Sequence, residues 1–370
     1  MLAPAIAASL GVPASLIGAF VGLVYVGAMV ASLLSGAYIA RHGAIRVSQA
    51  CVAACAIGIA GVAVAGPSML ALVVIAALVL GAGYGPITPA SSDVLARTTP
   101  PSRMSLVFSI KQTGVPAGAA LAGASLPALD LLIGWRGALA IAAALGVVVV
   151  IAAQPVRATL DTNRRADADL ALGRAFAAVR AIFRHRELRT IACLSFAYAA
   201  TQVCLTSFLV VHLTSRLGWS LVAAGLALSV GTIAGVIGRI AWGALADRTQ
   251  RPRVVLGVIG LVAGASAAIT AFSTPEWPAL AIYAVVAAFG ATAIGWNGVM
   301  LAEVARLAPA GEAGATTGAT GFITFGGVVL GPPIFGALAT LTGNTRTGFA
   351  ALALLSAITG ALILARSRES

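Results

Sequence analysis

Hydrophobic runs of about twenty residues recur along the whole chain, separated by short clusters of glycine, proline and arginine. A run such as 47–65 is continuous and long enough to cross a hydrocarbon core of about 30 Å as a helix. It lacks the period of two that a strand in a membrane barrel requires. Reading between turn and charge clusters predicts one partial and eleven full spans, at 1–10, 14–40, 47–66, 69–92, 104–129, 135–154, 188–213, 219–245, 254–273, 278–304, 313–341 and 346–365. The chain is therefore expected to be an all-α polytopic membrane protein. Its longest polar stretch divides the spans six and six, which predicts an N-terminal bundle (1–154), a cytoplasmic linker (155–187) and a C-terminal bundle (188–370).

Within the polar stretch 155–189, Asp161, Asp167 and Asp169 accompany eight arginines. Leu170, Phe176, Val179 and Phe183 recur there at helical spacing beside Arg174, Arg180 and Arg184. Such a segment suits a helix on an anionic leaflet, and equally a solvated helix lying against the bundle. At the other end, the run Met1–Leu10 spans only about 15 Å as a helix, half of the hydrocarbon core. A start upstream of Met1, adding roughly ten to twenty residues, is expected from that shortfall.

Composition narrows the class: 60% of the 370 residues are hydrophobic and 9% are charged, against roughly 25% in an average soluble domain. This excludes a soluble globular enzyme. The net charge of +12 would point to nucleic acid in a soluble protein, but here the positions of the charges decide. Eighteen arginines fall on loops of one side and three (Arg136, Arg216, Arg346) on the other, with Lys111 and Arg239 at membrane depth. The positive-inside rule makes the first side cytoplasmic, places both termini of the complete chain there, and leaves no call for nucleic acid. A multi-pass protein of the cytoplasmic (inner) membrane is expected. Cys51, Cys55, Cys193 and Cys204 lie in apolar runs without metal-ligand spacing, so they read as packing residues, and neither metal nor cofactor is expected. His42, His185 and His212 stand far apart, which argues against a hydrolase in the membrane. No repeated filter or charged ring suggests a channel.

The two halves share a loop. Gly36-Ala-Tyr-Ile-Ala40-Arg41-His42-Gly43-Ala44-Ile45-Arg46 follows the second span, and Gly243-Ala-Leu-Ala-Asp247-Arg248-Thr249-Gln250-Arg251-Pro252-Arg253 follows the eighth, displaced by 207 residues. The glycine permits close helix packing, and the arginine-rich turn can cap helix C-termini and pair with carboxylates. Acidic and basic residues recur as well: Asp93 precedes Arg97 after the fourth span, and Glu303 precedes Arg306 after the tenth. A further echo sets Gly114, Pro116, Gly118 and Gly123 of the fifth span against Gly326, Gly331, Pro332, Pro333 and Gly336 of the eleventh, where close crossings and bends are expected.

The stretch Gly243–Arg253 resembles the loop signature of the major facilitator superfamily, whose members carry it between spans two and three and often again between eight and nine. The resemblance extends over the chain through span count, central loop and repeat. It implies two pseudo-symmetric six-helix bundles around a central cavity and alternating access by rocking. It makes Arg41, Asp93, Arg97, Gly243, Asp247, Arg248, Arg251, Glu303 and Arg306 the gating candidates. The first copy departs from the pattern, with Ala40 in place of an aspartate and Ala44 and Ile45 in place of basic residues; Gln250 replaces a glycine of the second.

Lys111 is the single lysine, about two turns inside the fifth span, where a charge costs roughly 2.5–3.5 kcal/mol on insertion scales. It reads either as a cavity-facing contact for substrate or as a side chain reaching back to the interface. Arg239 lies one turn before Gly243. Its guanidinium can grip a substrate carboxylate bidentately or pair internally with Glu303 or Asp247. The pattern Arg239-x-x-x-Gly243-x-Leu-x-Asp247 is similar to the eighth span of monocarboxylate and oxalate/formate carriers, which implies an anion contact. Tyr25, Tyr84, Gln112, Tyr198, Gln202, Trp296 and Asn297 complete the candidate substrate-binding set. Both charges at depth are positive, and an anion requires the opposite charge. The expected function is secondary active transport of a small organic anion, a carboxylate foremost, by a monomer in the bilayer, coupled to a proton or a counter-anion. The alternative is proton-coupled efflux of drugs or other hydrophobic compounds.

Overall fold

The computed structural model describes residues 2–13, 16–165 and 172–367, and among these the regular structure is helical. The linker residues Asp167, Asp169 and Leu170 lie outside the described residues. Ten helical stretches are long and apolar enough to cross a membrane. One of them, 101–152, holds two of the expected spans. The first helix, α1 (Ala3–Leu10), has eight residues and is too short.

The helices form two compact units. The first comprises residues 1–97, 114–184 and 308–325. It contains α2 (Ile17–His42), α3 (Ala44–Val64), and α4 (Leu70–Tyr84) followed by α5 (Ile87–Thr98), one expected span in two pieces. The break falls at Pro86, which has no N–H to continue the ladder. Then comes α7 (Gly114–Ala152), preceded in sequence by α6 (Met104–Gln112) of the second unit. The two spans expected at 104–129 and 135–154 meet inside α7 at Gly134, whose φ of +75° only glycine adopts without strain. Trp135 and Ala138 just beyond this bend pack with Val62 and Ala76. The short α8 (Gln154–Leu160) and α9 (Leu172–Arg184) follow, and the first part of α15 (Ala313–Thr342) completes the unit.

The second unit comprises residues 98–113, 185–307 and 326–370. Its helices are α6, α10 (Arg186–Leu217), α11 (Leu221–Thr249), α12 (Pro252–Phe272), α13 (Ala279–Ala293), α14 (Asn297–Leu307), the rest of α15, and α16 (Thr345–Ser367). The division between α13 and α14 at 294–296 mirrors the break between α4 and α5. Each unit thus takes in a short stretch from the opposite sequence half, 98–113 in one case and 308–325 in the other.

Helix α11 shows how the sequence sets the packing. Val222, Leu226, Ile233 and Ile237 form an exposed apolar stripe suited to lipid. On other faces Gly231, Gly235 and Gly238 bring the backbone against Val286, Ile294 and Ala291. The core of this unit is built from Leu205, Leu209 and Leu213 of α10 with Phe289, Phe335 and Phe349. His212 closes one end of it. Its Nε2–H donates to the Thr270 carbonyl (3.0 Å), and the Thr345 hydroxyl donates to Nδ1 (2.8 Å), joining α10, α12 and α16.

Candidate functional site

The densest polar constellation lies in the second unit where two helices end. The carbonyls of Gln112, at the end of α6, and of Ile294, at the end of α13, have lost the donors that a continuing helix would supply. Arg239 of α11 takes both, with Nη1 on Gln112 O (2.5 Å) and Nε on Ile294 O (3.0 Å), and is 4% exposed. Arg239 thus ties the end of α6 to the end of α13 through two backbone carbonyls. Beside it, the half-buried Lys111 donates from Nζ to Gln112 Oε1 at 2.8 Å. Gln112 therefore joins the two cations, through its backbone to one and its side chain to the other.

At the break between α13 and α14, Gln202 Oε1 of α10 accepts from Trp296 Nε1 (3.1 Å) and Asn297 Nδ2 (3.0 Å). Trp296 is buried, edge-on to Tyr198, whose hydroxyl donates to Leu256 O. Tyr198 and Trp296 are thus buried, while Gln202 and Asn297 are half-buried.

In the same unit, the repeated loop forms a latch at the other end of α6. The Asp247 carboxylate accepts from the N–H groups of Ser105 (3.0 Å) and Leu106 (2.7 Å) in the first turn, where a helix favours negative charge. Arg306 reaches Asp247 at 3.3 Å, Ser105 Oγ at 3.1 Å and Glu303 at 3.6 Å. Arg253, the last arginine of the loop, holds Glu303 and Glu187, each at 2.6 Å. The close approach explains Gly243, since a Cβ there would lie 2.5 Å from Ser109 Oγ. Gly298 faces Ser109 from the other side, meeting its backbone as well. With Asp247 on Arg306 and Glu303 on Arg253 and Arg306, both carboxylates considered as partners for Arg239 are engaged elsewhere in the latch.

The first unit repeats this plan with different chemistry. Gly36, the counterpart of Gly243, lies against Ala315 of α15, and Ser32 Oγ donates to Gly318 O at 3.1 Å. Asp93 and Arg97 pair at 3.3 Å. At the counterpart of Asp247 stands Ala40, and the carboxylate chemistry passes to the linker. Asp161 accepts from the N–H groups of Ile45 (2.8 Å) and Arg46 (3.0 Å) at the start of α3. Asn163 donates to Asp93, Arg165 N–H to Ala40 O, and Arg97 to Leu160 O. Near the α4 break, Tyr25, Tyr84 and Phe325 gather with ring centroids 6.0–6.3 Å apart.

The family model of the Major Facilitator Superfamily matches residues 1–332. The chain belongs to this superfamily. No curated protein matches it by sequence. Among solved structures, it is similar to the fucose:proton symporter of E. coli, at 18% identity and a TM-score of 0.71 over 94% of this chain and 90% of that one. It is also similar to the human organic anion transporter MFSD10, at 18% identity and a TM-score of 0.74 over 98% and 88%. A bacterial homologue of the iron transporter ferroportin, in an outward-facing state, matches at 18% identity and 0.71 over 97% and 91%. At these identities the likeness is one of fold, and the fold is that of superfamily transporters.

Against this fold, Lys111, Gln112, Arg239, Gln202, Trp296 and Asn297 gather around the ends of α6 and α13, whereas Tyr25 and Tyr84 belong to the first unit. Of the gating candidates, Gly243, Asp247, Glu303 and Arg306 form one latch and Asp93 and Arg97 a pair in the other unit, while Arg41, Arg248 and Arg251 are exposed. Sequence reading left Glu187, Ser105, Ser109, Phe325 and the roles of Asp161 and Arg253 unassigned. The spacing of Arg157 and Asp161, an ion pair one turn apart, was a usable signal for Asp161. Of the glycines expected at close crossings, Gly331 packs on Ala200 and Gly326 touches Phe196, while Gly336, Gly114 and Gly118 have open space beside them.

Proposed function

We propose that this chain is a secondary active transporter of the cytoplasmic membrane that carries a small organic anion, a carboxylate foremost, by alternating access. The observation that carries the reading is the convergence of Lys111 and Arg239 on Gln112, two cations at membrane depth, beside the amides of Gln202 and Asn297. A carboxylate carries the charge opposite to both cations, and the planar guanidinium matches its geometry. The latch carboxylates Asp93 and Glu303 lie near helix ends, so a proton enters with the substrate or through one of these two, and exchange for a counter-anion needs neither. The arginine-rich loops are read as cytoplasmic.

The test is uptake and thermal stabilisation by a panel of carboxylates, sugars, amino acids and cationic drugs, using the full chain in proteoliposomes. Loss of one charged hydrogen bond in Arg239→Gln is expected to raise the half-saturating carboxylate concentration by about ten- to a hundredfold. Lys111→Gln should weaken the same ligands, with membrane levels unchanged in both variants. Stabilisation by cationic drugs alone overturns the anion reading. It would favour efflux of hydrophobic compounds, a second reading supported by the Tyr25, Tyr84 and Phe325 cluster.

A further inference from the structure

Helix α9 carries its aromatic residues on its outer side. Ala175 and Ile182 are buried, and the alanines at 175, 177, 178 and 181 line, with Leu33–Ala40 of α2, a cavity of about 340 Å³. Phe176 is 59% exposed and Phe183 45% exposed. They stand seven residues apart, with Arg180 and Arg184 at four and eight residues after Phe176, and so share one helical face on which both arginines are exposed. The expected apolar stripe of Phe176, Val179 and Phe183 thus does not seal the helix against the bundle. Val179, at its edge, is half-buried.

Position fixes what this face meets. The chain before α9 is tied down by Asp161 on Ile45 and Arg46 and by Arg165 on Ala40. Its inner face lies along the last turns of α2, a membrane span that ends in Arg41 and His42. At its C-terminal end only His185 separates it from α10, another span. A helix held along the end of a span and leading in sequence directly into another, with phenyl and guanidinium groups on one exposed face, matches the boundary of a bilayer in which phenyls reach acyl chains and guanidiniums meet phosphates.

We propose that α9 docks through Phe176, Phe183, Arg180 and Arg184 on the anionic phospholipids of the adjoining leaflet. This rests on the superfamily membership and not on the anion reading of the substrate site, and its test reads no transport.

The experiment places Phe176→Trp, in the full chain, in nanodiscs of phosphatidylglycerol or of phosphatidylcholine whose acyl chains are brominated near the headgroup. The emission of the unsubstituted protein in the same lipids is subtracted. Phe183→Trp repeats the measurement from a second exposed position. The added indole is expected to be quenched and blue-shifted in phosphatidylglycerol and far less so in phosphatidylcholine. Arg180→Gln with Arg184→Gln should lower the ratio of docked to undocked helix in phosphatidylglycerol by about thirtyfold, while the two lysine substitutions preserve it. Water-like, unquenched emission in both lipids, as for a helix facing solvent or another protein, overturns the proposal. So does equal quenching in both, which would leave no role for the arginines.

Discussion

Replacing Asp247 by alanine tests whether the repeated loop is a latch. In the native protein its two carboxylate oxygens accept from Ser105 and Leu106 N–H at 3.0 and 2.7 Å, and one of them faces Arg306 at 3.3 Å. Loss of an N-terminal cap costs about 0.5–2 kcal/mol, and loss of the charge at the helix N-terminus adds about 0.3–1 kcal/mol. A second charge-assisted bond brings the expected cost to roughly 2–4 kcal/mol. Arg306 retains Glu303 and Ser105, so the loss concentrates at the start of α6. Amide hydrogen exchange in nanodiscs should then speed up by about 30- to 900-fold at Ser105 and Leu106. Ile45 and Arg46, capped in the other unit by Asp161, provide the internal control. The converse variant, Asp161→Ala, should release them and leave Ser105 protected. An increase below about threefold at Ser105, or an equal rise at Ile45, would refute the reasoning, the first because the cap carries no energy and the second because the effect is global.

Three further substitutions probe the packing. Gly243→Ala inserts a methyl against Ser109 and should lower thermal stability by about 1–3 kcal/mol; Ser109→Gly should restore it for Gly243→Ala but not for Gly298→Ala, whose methyl also meets the Ser109 backbone. His212→Ala removes the acceptor of the Thr345 hydroxyl and one donor of the Thr270 carbonyl, which keeps Ser273 Oγ at 2.8 Å, and should cost about 1–3 kcal/mol in thermal unfolding, with Thr345→Val intermediate. Arg253→Gln leaves Glu303, 4% exposed, with Arg306 as its cation. A drop of about 1–3 kcal/mol in melting is expected, and Glu303→Gln in the same chain should recover part of it, because the uncompensated buried charge is then gone.

Legibility differed between the parts of the molecule for a physical reason. Spans were readable because twenty apolar residues in a row have one economical conformation in lipid. The loop repeat at Gly36 and Gly243 foretold two equivalent close approaches, and both occur. Pairs one turn apart, Asp93 with Arg97 and Glu303 with Arg306, were equally local and equally visible. Contacts decided by tertiary placement were not. Arg239 stands in sequence near Asp247, yet its hydrogen bonds are governed by where α6 and α13 end, and helix ends in the membrane leave no mark in composition. Arg253 meets Glu187 across 66 residues, a separation that no periodicity reports. The outward turn of Phe176 likewise depended on which side of α9 lies along α2.

The alanine at position 40 gives the two loops unequal responses to the medium. The approach of α2 to α15 rests on small side chains and the neutral hydrogen bond from Ser32 to Gly318, with nothing for dissolved ions to screen. The approach of α11 to α6 adds Asp247 and the partly exposed Arg306, whose attraction weakens as ionic strength rises and the Debye length shrinks toward the spacing of the charges. Concentrated salt therefore weakens the approach of α11 to α6 more directly than that of α2 to α15. An aspartate at position 40 would give both loops a carboxylate at the equivalent place, so their unequal response to salt traces to a single side chain.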